Sequence, residues 1–572
     1  MITKKIGVLD PEGKNPNPLN GKPFSPLYSH IADTGTPVLG KGTSGKGWKH
    51  FNTYKDRNRF FKMLQTNQAV LVKAGTGTGK SVMFPKLVSH YFDYKYPIIV
   101  TVPTQKVIES NASYGAMCMD VEYGKEIAMC HGDKQIQQDA DLTKILYATD
   151  GYVSGLMSSD PLLSKYYAIL IDEVHTRGVS IDLLLANVAA IARVRPEFRI
   201  IPMSATIDSD IFNSFFKKNN IKYQLYEMPS TTLFPIDFQY NTKELQTNEL
   251  QGDAVLDVID KELKATETGS IVVFNTSTTS TNKLKKKLDQ RLEKNVNSYP
   301  NIPYVCTLES KTKEEAKKIA LGETQYKDIP PGPHGPFIRT VIFSTPVIEF
   351  GVTFDNNLVL VIESGLAWQV YFDYKLNCTV MGNDYVAQSN IAQRCGRVGR
   401  NAPGKCYAMY TKNKYDSLKI FEDPKILTSA IDKEMLSILN LCRARMSINN
   451  NTTEFRETIK FLDNMITPIP EVNRRRLFHN LLQHNLINKY GKITELGLML
   501  SNIKIKAYDF RHIKMIIASY YFGCIGEVLK IVSILINVGK GYSDLIIPDP
   551  KKYGERDDQN EIINAVIKKF AH

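Results

Sequence analysis

Residues 69–81 read AVLVKAGTGTGKS, an apolar run that breaks into three alternating glycines and ends in lysine and serine. The following residues, VMFPKLVSHYF, open a helix directly. A strand, a glycine-rich turn and a helix start in this order build a phosphate cradle. Closely spaced glycines let successive N–H groups converge on phosphate oxygens, and the helix N-terminus adds partial positive charge. In this reading Ala74, Gly75, Thr76, Gly77, Thr78 and Gly79 offer backbone, Lys80 reaches the β- and γ-phosphates, and the Ser81 hydroxyl ligands Mg²⁺. The strict pattern begins with glycine, and Ala74 stands at that position. The bland alternative is a glycine-rich strand–helix turn.

A second segment, Ile169-Leu170-Ile171-Asp172-Glu173, is an apolar strand ending in adjacent carboxylates. At the carboxyl edge of a parallel sheet such acids face the crevice where ligands bind. Asp172 suits a metal held through its water shell, and Glu173 suits the base that takes the proton of an attacking water. A solvated acidic turn would not place acids at the end of a buried strand downstream of a phosphate loop.

Outward from these two segments the texture repeats. IIVTVP (98–103), ILYATDG (145–151) and RIIPMSAT (199–206) are short apolar runs of the kind that parallel strands need when helices cover both faces. SIVVFNTS (270–277), TVIFSTPV (340–347), LVLVIESG (358–365) and KCYAMYT (405–411) form a second set. Two α/β parallel-sheet domains in tandem are expected, 51–230 and 231–411, with the boundary near 228–235. After Lys412 strand signals stop and helical ones begin, as in DKEMLSILNLCRARM (432–446). The first 50 residues hold 8 Gly and 6 Pro and read as an irregular basic arm, either contacting nucleic acid or simply solvated.

Composition agrees with several folded domains in 572 residues: 43% hydrophobic and 23% charged. Lysine plus arginine (72) exceed aspartate plus glutamate (59), and the net charge of +13 points towards an anionic partner. The eight cysteines form no C-x-x-C pair, so neither a zinc site nor a disulfide framework is expected, and a reducing compartment fits. No apolar run is long enough for a membrane helix, and the start lacks a signal-peptide core. The expected location is therefore intracellular, in cytoplasm or nucleus, with a viral factory or virion as a further setting.

The order of further motifs is specific. Asp172-Glu173-Val174-His175 resembles the DExH form of the second motif of superfamily 2 helicases. Thr101-Val102-Pro103-Thr104, Thr149-Asp150-Gly151, Ser204-Ala205-Thr206, VVFNTS (272–277), STPVIEFGVTFD (344–355) and QRCGRVGR (393–400) resemble the family's other motifs in their usual order. The match is closest to DEAH-box RNA helicases and their viral relatives. It implies two RecA-like lobes, with Gln393 orienting water and Arg397 and Arg400 as fingers on the γ-phosphate. It further implies coupling roles for His175, Ser204 and Thr206, and nucleic-acid contacts at Thr149, Asp150, Thr345 and Asp355. Residues 412–500 resemble the winged-helix domain of DEAH proteins, and 501–572 the start of their helical ratchet-like domain. The chain ends at His572, before the OB-fold into which such proteins continue. Thr104-Gln105 stand where DEAH proteins commonly carry two arginines, which weakens the expected contact there.

The resemblance implies an ATP- and Mg²⁺-dependent RNA helicase translocating on single strands, 3′ to 5′. RNA single strands or duplexes are the expected partners, with DNA as an alternative, a protein activator allowed for and no membrane. A monomer is expected. Rival readings are a remodelling ATPase that separates no strands and a catalytically dead nucleic-acid scaffold.

Overall fold

The computed structural model describes residues 7–35, 47–75, 78–102, 105–132, 134–228, 234–245, 252–309, 312–346, 354, 358–399, 402–446, 454–503 and 510–537. Its first sheet is built from β1 (Ala69–Lys73), β2 (Ile98–Thr101), β3 (Ile127–His131), β4 (Lys134–Ile136), β5 (Ile145–Ala148), β6 (Ala168–Ile171), β7 (Arg199–Ser204) and β8 (Tyr223–Glu227). The strand order is β4-β3-β5-β2-β6-β7-β1-β8, parallel throughout except for the β3–β4 pair. Strands β2, β3, β5 and β6 are buried along their whole length. That burial is why they read as unbroken apolar runs and not as alternating ones.

The chain then forms β9 (Ile236–Tyr240), β10 (Ser270–Phe274), β11 (Tyr304–Leu308), β12 (Thr340–Ser344), β13 (Leu358–Glu363), β14 (Leu366–Asp373), β15 (Cys378–Tyr385) and β16 (Gly404–Ala408). Six of these make a second parallel sheet in the order β11-β12-β10-β13-β16-β9, and β14 pairs with β15 as an antiparallel hairpin. β8 ends at Glu227 and β9 starts at Ile236, so the chain changes sheets between them. The two tandem parallel-sheet domains inferred from the sequence are present.

The N-terminal segment differs from the irregular arm expected of it. Residues Gly7–Leu9 form a 3-10 turn, and Pro26–Thr34 form a helix with proline at its first position, where the missing N–H costs nothing. Val8, Leu9, Tyr28, Ile31 and Trp48 are buried. Asn17 donates to the Met119 and Asp120 carbonyls at 2.8 and 2.9 Å, fastening the strap to the end of the helix Gln105–Met119. The many glycines and prolines let a non-repetitive chain follow the surface of the first lobe. A few large apolar side chains at irregular spacing anchor it, a pattern that hydrophobic periodicity does not detect.

The principal anchor is Lys86, on the helix Lys80–Tyr91 that follows the phosphate loop. Its amine is fully buried, 3.4 Å from the Trp48 ring centre and 5.2 Å from that of Tyr28, and it donates to the Cys118 carbonyl at 2.8 Å. Two aromatic faces favour the ammonium, but burial dominates and pushes the Lys86 amine down to about 7.

Helices follow the second sheet. Residues up to Ala430 group with the α/β part, as do Phe461–Ile469, whereas Ile431–Lys460 and the chain from Pro470 form a second compact unit. That unit therefore begins at Ile431, later than the boundary at 412 expected from the sequence. The helices Lys412–Ser417 and Lys425–Thr428 group with the α/β part before them. The second unit contains the helices Asp432–Met446, Glu471–Gln483, Glu495–Ser501, Phe510–Tyr521 and Ile525–Asn537, with a small bridge pairing Ile487 and Ile493. Among the described residues, no helix is long and apolar enough to cross a membrane.

The buried amine generates a pH prediction. The folded-state pKa of Lys86 lies below its unfolded value, so between about pH 7 and pH 10 the unfolded chain holds a proton that the folded chain does not. Stability should therefore gain from this group as pH rises through that window. Lys86→Met should flatten the gain, read as the difference in melting temperature between wild type and variant at pH 7 and pH 9. A pH-independent difference would show that Lys86 keeps its proton.

Candidate active site

The phosphate loop leaves β1 with Ala74 donating its N–H to the Ser204 carbonyl at 2.9 Å, so this residue still completes the sheet. Ala74 is buried and lies outside the left-handed region. No glycine is required there, and the departure from the strict pattern costs the loop nothing. Gly79 does need its freedom: it caps the next helix at φ +75°. Thr76 and Gly77 lie outside the described residues. Two carbonyls of the loop accept hydrogen bonds from the motif's own side chains. Lys80 Nζ donates to the Ala74 oxygen at 2.9 Å, and the Thr78 hydroxyl to the Gly75 oxygen at 2.8 Å.

β6 delivers Asp172 to the same place. The Ser81 hydroxyl donates to Asp172 Oδ2 at 2.6 Å, and the Glu173 N–H donates to Oδ1 at 2.9 Å. Asp172 is 3% exposed. Burial, and the neighbouring Glu173 charge, push its carboxyl up to about 6, against the pull of Lys80. Glu173 has the opposite balance. Burial works upward, but the Lys80 ammonium, the His175 ring and the Arg397 guanidinium outweigh it and hold the carboxyl down at about 2. The peptide turns sharply to achieve this, with Glu173 at φ +52° and Arg177 at φ +45°.

His175 joins three motifs. Its Nδ1 lies 2.7 Å from Ser204 Oγ and 3.2 Å from Glu173 Oε2, and its Nε2 lies 2.6 Å from Gln393 Nε2. With the Gln393 amide donating to Nε2, the ring proton sits on Nδ1 and points to Ser204 and Glu173, an assignment that rests on the hydrogen-bond network. Ser204 passes its own proton to the Thr206 carbonyl at 2.7 Å. His175, Ser204 and Thr206, grouped by resemblance, are thus in one network. Gln393 is held by His175 across the two sheets.

The second lobe supplies these groups from the helix Gln388–Cys395 and the turn after it. Arg397 is 7% exposed and its charge acts on Glu173. Arg400 lies outside the described residues. Gly399, at φ +75°, has Ile236 Cγ1 2.8 Å from where a side chain would begin, so the loop can close against the start of β9 only with glycine. Arg394 has a different task that motif reading missed. It is fully buried and pairs with the equally buried Glu363 at the end of β13, Nη1 to Oε1 2.8 Å. Nothing in the sequence distinguishes this arginine from its neighbours, because the partner stands 31 positions earlier. Cys395 and Cys406 form a disulfide, which departs from the expectation of none; a spacing of 11 residues carries no sequence signal. The remaining described cysteines are free.

The candidate nucleic-acid contacts fare unevenly. Thr149 caps the helix Asp150–Ser159, accepting from the Tyr152 N–H at 3.4 Å, and stays partly exposed, as does Thr345 just past β12. Asp150 does not fit the expected contact. The residue is only 7% exposed, and burial pushes its carboxyl up to about 6. A helix-start aspartate on a strand edge is turned into the lobe by packing, which its place in a motif does not reveal. Asp355 lies outside the described residues.

The Arg394–Glu363 pair yields a stability prediction. Arg394→Met alone strands a buried carboxylate and should cost about 3–5 kcal/mol, whereas Arg394→Met with Glu363→Leu should recover most of that. Thermal melts of the single and double variants check it; equal losses would show that the two side chains act independently.

Residues 54–214 match the family model described as DEAD/DEAH box helicase. The chain is 28% identical over 535 residues to a protein of Acanthamoeba polyphaga mimivirus that carries the name of an ATP-dependent RNA helicase, covering 93% of this chain and 70% of that relative. It is 27% identical over 486 residues to the pre-mRNA-splicing factor ATP-dependent RNA helicase prp22 of Schizosaccharomyces pombe, covering 84% of this chain but only 38% of that one. With the paired acids, Ser204 and the Gln393 helix meeting at His175, the chain is similar to DEAD/DEAH box helicases over residues 54–214 and, over most of its length, to proteins named as ATP-dependent RNA helicases.

Proposed function

We propose that the chain hydrolyses ATP to move along single-stranded RNA and separate duplexes, tracking 3′ to 5′. The observation that carries this reading is the contact of Gln393 with His175 at 2.6 Å, because it brings the second lobe to the acids of the first. A nucleotide seated on the loop is then reached from both sheets, and its cleavage can alter how they meet.

Phosphoryl transfer to water is mostly positioning and charge neutralisation. Lys80 and the loop N–H groups bind and orient the phosphates. Glu173, kept ionised by its three cationic or hydrogen-bonding neighbours, accepts the proton of the attacking water. Arg397, with Arg400, neutralises charge spreading onto the γ-phosphate, and Gln393 positions water when it leaves His175. Ser81 and Asp172 fit magnesium: two hard oxygens stand 2.6 Å apart, one on a buried carboxylate, and magnesium prefers few protein oxygens beside phosphates. Bound there, it supplies neutralisation of the phosphate oxygens. Thr149 and Thr345 offer hydroxyls to the sugar–phosphate backbone, a sequence-blind mode of contact.

Lys80→Ala should reduce RNA-stimulated ATP hydrolysis by about 10²-fold or more, and Glu173→Gln by about 10²–10⁴-fold while still binding nucleotide. Phosphate release assayed with and without RNA homopolymer checks both, and turnover by either variant at the wild-type rate would overturn the assignment. A 3′-tailed duplex should be displaced and a 5′-tailed one not. Hydrolysis without displacement of either would favour remodelling.

A further inference from the structure

Three carbonyls of the phosphate loop that the structure describes are each claimed by a donor. Two donors, Lys80 and Thr78, belong to the motif itself. The third comes from outside it: the Thr53 hydroxyl donates to the Thr78 carbonyl at 3.2 Å. Thr53 is fully buried, in the short helix Asn52–Lys55 that ends the N-terminal strap. Beside it, the Phe51 ring lies over Gly79, its Cδ2 2.7 Å from where a side chain on that glycine would begin.

We infer that Thr53 is a positioning residue for the nucleotide site, fixing the Thr78–Gly79 peptide so that the loop presents N–H groups and not a carbonyl to phosphate. This rests on the reading of that loop as an ATP site. A carbonyl turned into the cradle would set a negative dipole against an anion, and each such peptide has two orientations that differ by one hydrogen bond on its outer side. Thr53 holds the outer orientation of the peptide that opens the helix, where Gly79 has least resistance to turning. Phe51 closes the space into which the peptide would swing. The strap carries both residues, and its anchor is the Trp48–Lys86 contact on the same helix that Lys80 begins. Strap, loop and helix thus form one closed circuit.

Thr53→Val removes the donor while preserving shape, and Thr53→Ser keeps the donor while losing a methyl group. In the full chain, titrated with a fluorescent mant-ATP analogue in magnesium buffer, Thr53→Val should bind about three- to tenfold more weakly and Thr53→Ser within about twofold of wild type. Melting temperatures should not follow that order. Equal affinity of Thr53→Val and wild type, or equal weakening by both variants, would overturn the inference. If Thr53→Val does not fold, Phe51→Ala tests the same peptide: weaker binding with an unchanged melt supports it, and unchanged binding overturns it. Wild type serves as the control for the underlying reading, because failure of the unmodified chain to bind the analogue rejects the ATP site itself and the strap's role with it.

Discussion

The meeting of the two sheets at the paired acids turns on one imidazole. His175 receives Gln393 on one nitrogen and gives its proton to Ser204 and Glu173 on the other. A neutral histidine has one donor and one acceptor, so the ring can serve both sheets only while its tautomer is fixed, and Ser204 fixes it by spending its own proton on the Thr206 carbonyl. The helix Gln388–Cys395 meets the ring at Nε2, and the Glu173 carboxylate meets it at Nδ1.

Electrostatics explains why two adjacent acids can share so dry a place. Asp172 and Glu173 repel one another, and burial penalises both charges. The sharp left-handed turn at Glu173 sends the two side chains to different neighbours. Asp172 takes a hydroxyl and a backbone N–H, whereas Glu173 takes the fields of Lys80, His175 and Arg397. Two carboxylates of nearly identical chemistry are thereby pushed in opposite directions, Asp172 upward and Glu173 downward.

Legibility in the sequence followed the range of the interactions. Runs such as AVLVK and AILID announce buried parallel strands because each residue's own apolarity decides its place, and both sheets were recognisable in this way. The spacing of Gly75, Gly77 and Gly79 before Lys80 is likewise local. Ala74 looked like a defect only because the motif is written in residue types; the backbone there needs no glycine. The N-terminal 50 residues misled for the converse reason. Their anchors, Tyr28 and Trp48, are isolated large side chains in a stretch without period, and the cavity they fill belongs to Lys86 and Cys118, far along the chain. Asp150 misled similarly, since motif position says nothing about which way a side chain turns, and the pairing of Arg394 with Glu363 left no sign in the motif.

The sequence by itself determined the two parallel sheets, the phosphate loop and the acids at the strand end, because these depend on hydrophobic runs and on glycine spacing within a few residues. The tertiary structure alone decided that Gln393 meets His175, that Arg394 is paired with Glu363 inside the second lobe, and that the leading strap reaches the phosphate loop through Thr53. Each of those contacts joins residues from 25 to more than 200 positions apart. Their existence depends on how packed elements register against one another, which no local pattern of residues encodes.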